Sequence, residues 1–181
     1  FGNLIIDDCD NCTTVENENQ GSNTDGYACS DIIQLVSNLP DCNGDDILDN
    51  NTAHDCINTS CPSPIWDNTD PTNRFLNGLD FSNCGIAEVP EYVTNFNTIK
   101  ILSFSVNNIN SFPTNIVSMS LLEELDLSFN AITANAVTDD ICTLADNGCY
   151  INLKDNLIFN CSELPQCSDQ AKIDCGFTNR R

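Results

Sequence analysis

Positive charge is what this sequence most conspicuously lacks. Lys and Arg number 6 among 181 residues against 27 Asp and Glu, for a formal net charge of −21, and none occurs before Arg74. A surface this acidic repels nucleic acid and anionic membranes, so neither is an expected partner. It suits cations, basic partners or plain solubility. There is 1 histidine, His54, in the polar stretch NNTAHDC, where it reads as a surface-loop residue and not as a general base. The sequence has no GxSxG, no HExxH and no Gly-rich phosphate loop. Carboxylates are so abundant that pairs of them carry no information about glycosidase-type catalysis. The expectation is a protein that is not an enzyme, with no catalytic residue assigned. Also missing are an apolar run long enough to span a bilayer and, at Phe1, an initiator Met or signal-like segment, as expected if a signal peptide has been removed.

Cysteine, by contrast, is plentiful. Cys9, Cys12, Cys29, Cys42, Cys56, Cys61, Cys84, Cys142, Cys149, Cys161, Cys167 and Cys175 make 12. An even count in an acidic, Asn-rich chain suggests up to six disulfides and an oxidising compartment. Zinc would need paired Cys-x-x-Cys units, and Cys9-x-x-Cys12 stands without a second pair or a paired His. Four N-glycosylation sequons, at Asn11, Asn50, Asn58 and Asn160, agree with a secreted glycoprotein carrying N-linked glycans. Asn58 is the best acceptor, because Cys follows Asn11 and Asn160 within their sequons. The terminal Arg180-Arg181 is either a dibasic processing scar or the natural end.

The segment LLEELDLSFNAI, residues 121–132, places apolar residues and one Asn at Leu122, Leu125, Leu127, Asn130 and Ile132. Neither the 3.6-residue period of a helix nor the alternation of a strand fits it throughout. The same spacing recurs 23 residues earlier at Ile99, Leu102, Phe104, Asn107 and Ile109, and again at Leu76, Leu79, Phe81, Cys84 and Ile86. It recurs 26 residues later at Ile151, Leu153, Asn156 and Ile158. Val89-Pro90 matches Phe112-Pro113, and Val93 and Phe96 match Ile116 and Met119. The Leu-x-Leu part is a short strand with one face inward. Where the chain then bends, buried backbone groups lose strand partners, and an Asn amide can donate to them and accept from them at once.

This pattern resembles the leucine-rich repeat family, L-x-x-L-x-L-x-x-N/C-x-L, over about residues 74–160. The resemblance implies an α/β solenoid of four short repeats with parallel strands, flanked by cysteine-rich caps that cover the open ends. It divides the chain into an acidic Cys-rich arm and cap over residues 1–72, repeats over 73–160, and a Cys-rich C-terminal cap over 161–181. In the first part, CSDIIQLVSNLP reads as a helix started at Ser30 or Asp31 and stopped by Pro40. A helix, Cys-rich loops and Trp66 ahead of the first repeat are similar to the N-terminal caps of extracellular members. Cysteine parity favours a bond from Cys84 to that cap.

The resemblance also implies a concave face that binds protein ligands. Its outward positions are Gly78, Asp80 and Ser82; Ile101, Ser103 and Ser105; Glu124, Asp126 and Ser128; Tyr150, Asn152 and Lys154. Asn83, Val106, Phe129 and Asp155 follow just beyond each strand. Ile101, Val106, Phe129 and Tyr150 are expected to form one exposed apolar-aromatic binding patch, unless loops or caps cover it. In DCNGDDILD, the residues Asp41, Asn43, Asp45 and Asp49 have the alternation of a calcium loop. Gly at the fourth position and Thr52 in place of the bidentate Glu weigh towards an Asx-rich turn instead, so no cofactor beyond this calcium candidate is assigned. Finally, Phe1, Leu4, Ile5 and Ile6 form an apolar arm ahead of a polar segment. Either it folds back on its own domain or it adds as a strand to a neighbouring copy, which would build filaments. Two functional classes follow: a self-assembling coat or filament subunit, or a monomeric recognition module such as a receptor ectodomain or defence-type inhibitor.

Overall fold

The computed structural model describes residues 62–67, 69 and 75–176. The chain divides into two compact units, with the second beginning at Leu79. Of the first unit, β1 (Ser63–Asp67) is described, with each of its residues half-buried. Strand β2 (Phe75–Asp80) carries the chain across the boundary.

The second unit is a stack of coils, each contributing one short strand. These strands are β3 (Ile101–Ser103), β4 (Glu124–Asp126), β5 (Tyr150–Asn152) and β6 (Ile173–Asp174). They pair side by side in parallel, with Leu102 against Leu125 against Ile151 against Ile173. A parallel sheet with little helix fits the leucine-rich repeat pattern. The inward positions of the Leu-x-Leu motifs form the core: Leu79, Leu102, Phe104, Leu125, Leu127, Ile151 and Leu153 are all without solvent exposure. Phe81 and Phe104, in successive coils, stack with ring centroids 4.9 Å apart. Burying such side chains supplies about 1.5–3 kcal/mol each.

Each coil returns along a second wall. Two coils use 3₁₀ turns, Glu91–Asn95 and Thr114–Ser118, which follow Pro90 and Pro113. A proline with fixed φ and no N–H suits the residue just before a helical turn. Val93 and Phe96 in one coil, and Ile116 and Met119 in the next, point into the core. The coil that starts with β4 is longer, and after a short 3₁₀ turn at Ala134–Ala136 it uses its extra residues for a helix, α1 (Asp140–Asp146), burying Ile141, Leu144 and Ala145. Gly148 ends this helix at φ +95°. There the Gly148 N–H donates to the Ala145 carbonyl at 2.9 Å and the Cys149 N–H to the Leu144 carbonyl at 3.0 Å. This two-bond closure needs a left-handed residue and explains the glycine.

Asn107, Asn130 and Asn156 join the coils. The Nδ2 of each donates to a carbonyl of the coil before, on Phe81, Phe104 and Leu127 respectively, all at 2.8 Å. The Oδ1 of each accepts from a backbone N–H of that earlier coil, on Ile86, Ile109 and Ile132, at 3.1, 2.9 and 2.9 Å. The Asn therefore serves the preceding turn. In the first repeat read from the sequence there is no earlier repeat to serve, and Cys84 can stand there and enter a disulfide.

Two bridges tie the C-terminal segment. Cys142 on α1 bonds to Cys167, and Cys161 bonds to Cys175. Cys149, expected in a bridge, is instead a free and fully buried thiol. It lies behind the Gly148 turn, and burial pushes its pKa up to about 12. The expected partner of Cys84, the 30–39 helix, His54 and the terminal Arg180-Arg181 fall outside the described residues.

Candidate functional site

The outward face of the second unit is built from rows that run across the strands. Register sets the first: Ile101 lies beside Glu124, and Glu124 beside Tyr150. The next row is Ser103, Asp126, Asn152 and, through β5 and β6, Asp174. Then come Ser105, Ser128 and Lys154, and beyond them the residues that leave the strands. There Asn83 donates its N–H to the Ser105 carbonyl, Val106 to Ser128 and Phe129 to Lys154, each at 3.0 Å.

The four apolar residues expected to form one patch therefore form two. Ile101 and Tyr150 flank Glu124 at the start of the strands. Val106 and Phe129 sit on adjacent coils at the strand ends. Five residues of nearly extended chain separate the two groups, on the order of 15 Å. Exposure separates them as well. Val106 is 49% and Phe129 56% exposed, whereas Ile101 and Tyr150 are half-buried. The Tyr150 hydroxyl is committed too, donating to Asp174 Oδ2 at 2.8 Å.

Polar groups occupy the floor between these groups, and many serve each other. Asp80, Asp126, Asn152 and Asp174 each accept from the backbone N–H two residues on, at 2.9, 2.9, 3.2 and 3.0 Å. This recurring side-chain-to-backbone bond turns the chain at the ends of β2, β4, β5 and β6. It was not anticipated from the sequence, although the recurrence of Asp or Asn two residues before the bend was its signal. The Ser82 hydroxyl lies 2.8 Å from those of both Ser103 and Ser105. Ser128, expected to face outward, is 5% exposed.

The turns end in a backbone feature common to all four coils. Asn83, Val106, Phe129 and Asp155 have φ of +58°, +57°, +55° and +55°. This left-handed region is cheap for Gly, tolerated by Asn and Asp, and costly for a β-branched or bulky side chain. The outer two coils use Asn and Asp; the middle two use Val and Phe.

Near β6, Lys154 pairs with Asp174 at 2.7 Å. The Lys154 ammonium is the first cause holding the Asp174 carboxyl below its ordinary value, helped by the Tyr150 hydroxyl and the Gly176 N–H. An open depression of about 580 Å³ lies here, lined among others by Lys154, Gln166, Gln170 and Asp174. Several of its polar groups are already engaged: the Gln166 Nε2 donates to the Leu164 carbonyl, and the Gln170 Oε1 accepts from the Cys167 N–H.

Asn160 is exposed, and its Oδ1 accepts from the Ser162 hydroxyl at 2.8 Å within its own sequon. The other sequons at Asn11, Asn50 and Asn58, the calcium candidate Asp41, Asn43, Asp45 and Asp49, and the arm Phe1, Leu4, Ile5 and Ile6 fall outside the described residues. Among the described residues no group of His, Cys, Asp and Glu is arranged to hold a metal, and no helix is long and apolar enough to cross a membrane.

No family model matches the chain, and no curated protein matches it. Among solved structures it is similar to the LRR ectodomain of the receptor kinase SOBIR1 from Arabidopsis thaliana, at 16% identity and a TM-score of 0.41, over 71% of this chain and 68% of that one.

Proposed function

We propose that this chain is a secreted, non-catalytic leucine-rich repeat glycoprotein that acts through protein–protein contact, its repeats capped at both ends by disulfide-bonded segments. The observation that carries this reading is the Val106–Phe129 pair: two large apolar side chains, about half exposed, side by side on a regular parallel-stranded face. Exposed apolar clusters on otherwise polar surfaces mark contact sites. The bridges Cys142–Cys167 and Cys161–Cys175 support an oxidising, extracellular setting.

Between the two functional classes, the described surface favours recognition of a different protein over assembly of copies. A face carrying Glu124, Asp126 and Asp155, on a chain of net charge −21, repels its own copy. The self-assembling coat or filament subunit rests instead on the apolar arm at the N-terminus. The test is to secrete the chain from eukaryotic cells and use it as bait against an array of purified extracellular proteins. The expected result is a monomer by light scattering, with a mass that falls on glycosidase treatment. It should bind array members that the double variant Ile101→Ser, Phe129→Ser binds more weakly. Native filaments that dissolve on deletion of Phe1 to Ile6 would instead establish the structural-subunit reading.

A further inference from the structure

We infer that the Val106–Phe129 row is the anchor for a basic protein segment, which seats one apolar side chain on these two residues and places Lys or Arg over the neighbouring carboxylates. This rests on the protein-recognition reading above and gives that surface its ligand class. Val106 and Phe129 add little to the core, since both are about half exposed. They also occupy left-handed backbone, at φ +57° and +55°, where a β-branched or bulky side chain is strained. The coils on either side solve the same turn with Asn83 and Asp155. Folding alone favours those residues in the middle coils too. Val and Phe there spend stability on an exposed apolar surface, as expected where the surface itself is needed.

Charge complementarity selects the occupant. Asp155 follows Phe129 in the row and is exposed. Asp126 lies three residues before Phe129, on the floor beneath the row. Among the described residues neither carboxylate forms an ion pair, the pairs being Lys100–Glu123 and Lys154–Asp174, although Lys154 and Asp126 feel each other's charge. Lys154, the cation nearest the row along the chain, is thus already neutralised by Asp174. The apolar row borders unpaired negative charge, and its complement is an apolar side chain with cationic neighbours. A second copy of this chain, itself strongly acidic, is the wrong partner.

The experiment is a selection of random twelve-residue peptides displayed on phage against the full glycosylated chain, followed by titration of the enriched peptides. Enrichment of Lys or Arg around one aromatic or aliphatic residue is expected. So is a loss of at least tenfold in affinity for the double variant Val106→Asn, Phe129→Asn. Asn suits the left-handed turn, so this variant should melt at or above the wild-type temperature, which separates lost binding from lost folding. Equal binding of the selected peptides to both proteins overturns the proposal, as does enrichment of acidic or uncharged sequences. Peptides lost on Ile101→Ser but kept by the Asn variant would also overturn it while leaving protein recognition intact. Concentration-dependent association that the Asn variant abolishes would assign the row to a second copy and overturn the basic occupant.

Discussion

The Asn130 amide donates to the Phe104 carbonyl, one coil back in the stack, across 2.8 Å. The same amide also reaches the Leu127 and Ser128 carbonyls of its own turn, at 3.1 Å each, while Oδ1 accepts from the Ile109 N–H. One side chain therefore satisfies backbone groups in two coils, in a site that is 8% exposed.

Asn130→Ala should destabilise the protein by about 2–4 kcal/mol, because several buried backbone groups lose their partner together. Asn130→Asp should be worse at neutral pH. It sets a carboxylate against three carbonyl oxygens, and part of the loss should return on acidification as the carboxyl gains a proton to donate. Asn156→Ala should cost less, since Asn156 is only half-buried. Denaturant unfolding of the three variants checks the order. Losses near zero at both Asn130 and Asn156 would show that the ladder is not what holds the coils, and equal large losses would show that burial does not grade them.

The stack was legible in the sequence because its cause is periodic. Each Leu-x-Leu fills one core layer and each Asn serves one turn, so the spacing repeats as the geometry does. Helix α1 was missed because it appears in a single coil, hidden in a repeat of 26 residues instead of 23. Its local marks, Ile141, Leu144, Ala145 and Gly148, are too few to stand out without the fold. The apolar patch was legible residue by residue but not as an arrangement. Ile101 begins β3 and Val106 lies in the turn beyond its end, so four apolar residues at outward positions make two clusters and not one. The left-handed turns were masked by Val106 and Phe129 themselves, which are poor residues for that conformation. Their equivalents Asn83 and Asp155 were the better guide.

Counting could not reveal the state of Cys149, because pairing depends on which thiols the fold brings within reach. The thiol is fully buried, and desolvation pushes its pKa to about 12. At pH 8 the thiolate fraction is therefore about one in 10⁴. Iodoacetamide should leave Cys149 unlabelled in the native protein and label it on denaturation without reductant, as read by mass spectrometry of its peptide. Native labelling at the rate of a free cysteine, or a disulfide-linked Cys149 peptide, would contradict the buried thiol.

The last prediction concerns the closing strand. Asp174 accepts from Lys154 at 2.7 Å and from the Tyr150 hydroxyl at 2.8 Å, and its carboxyl is held below its ordinary value, first by Lys154. A carboxylate whose folded pKa is depressed adds stability that is present above its unfolded pKa, near 4, and lost as pH falls through the lower folded value. Asp174→Asn should therefore melt below the wild type at pH 7, and the gap should close as the solution is taken below about pH 4. The pair is 45% and 32% exposed, so solvent screens it and the neutral-pH gap should be small, about 1–3 °C. Added salt should shrink it further. A gap that stays constant from pH 7 to pH 3, or widens on acidification, would remove the ion pair as its cause and leave only the lost hydrogen bonds of the Asp174 side chain.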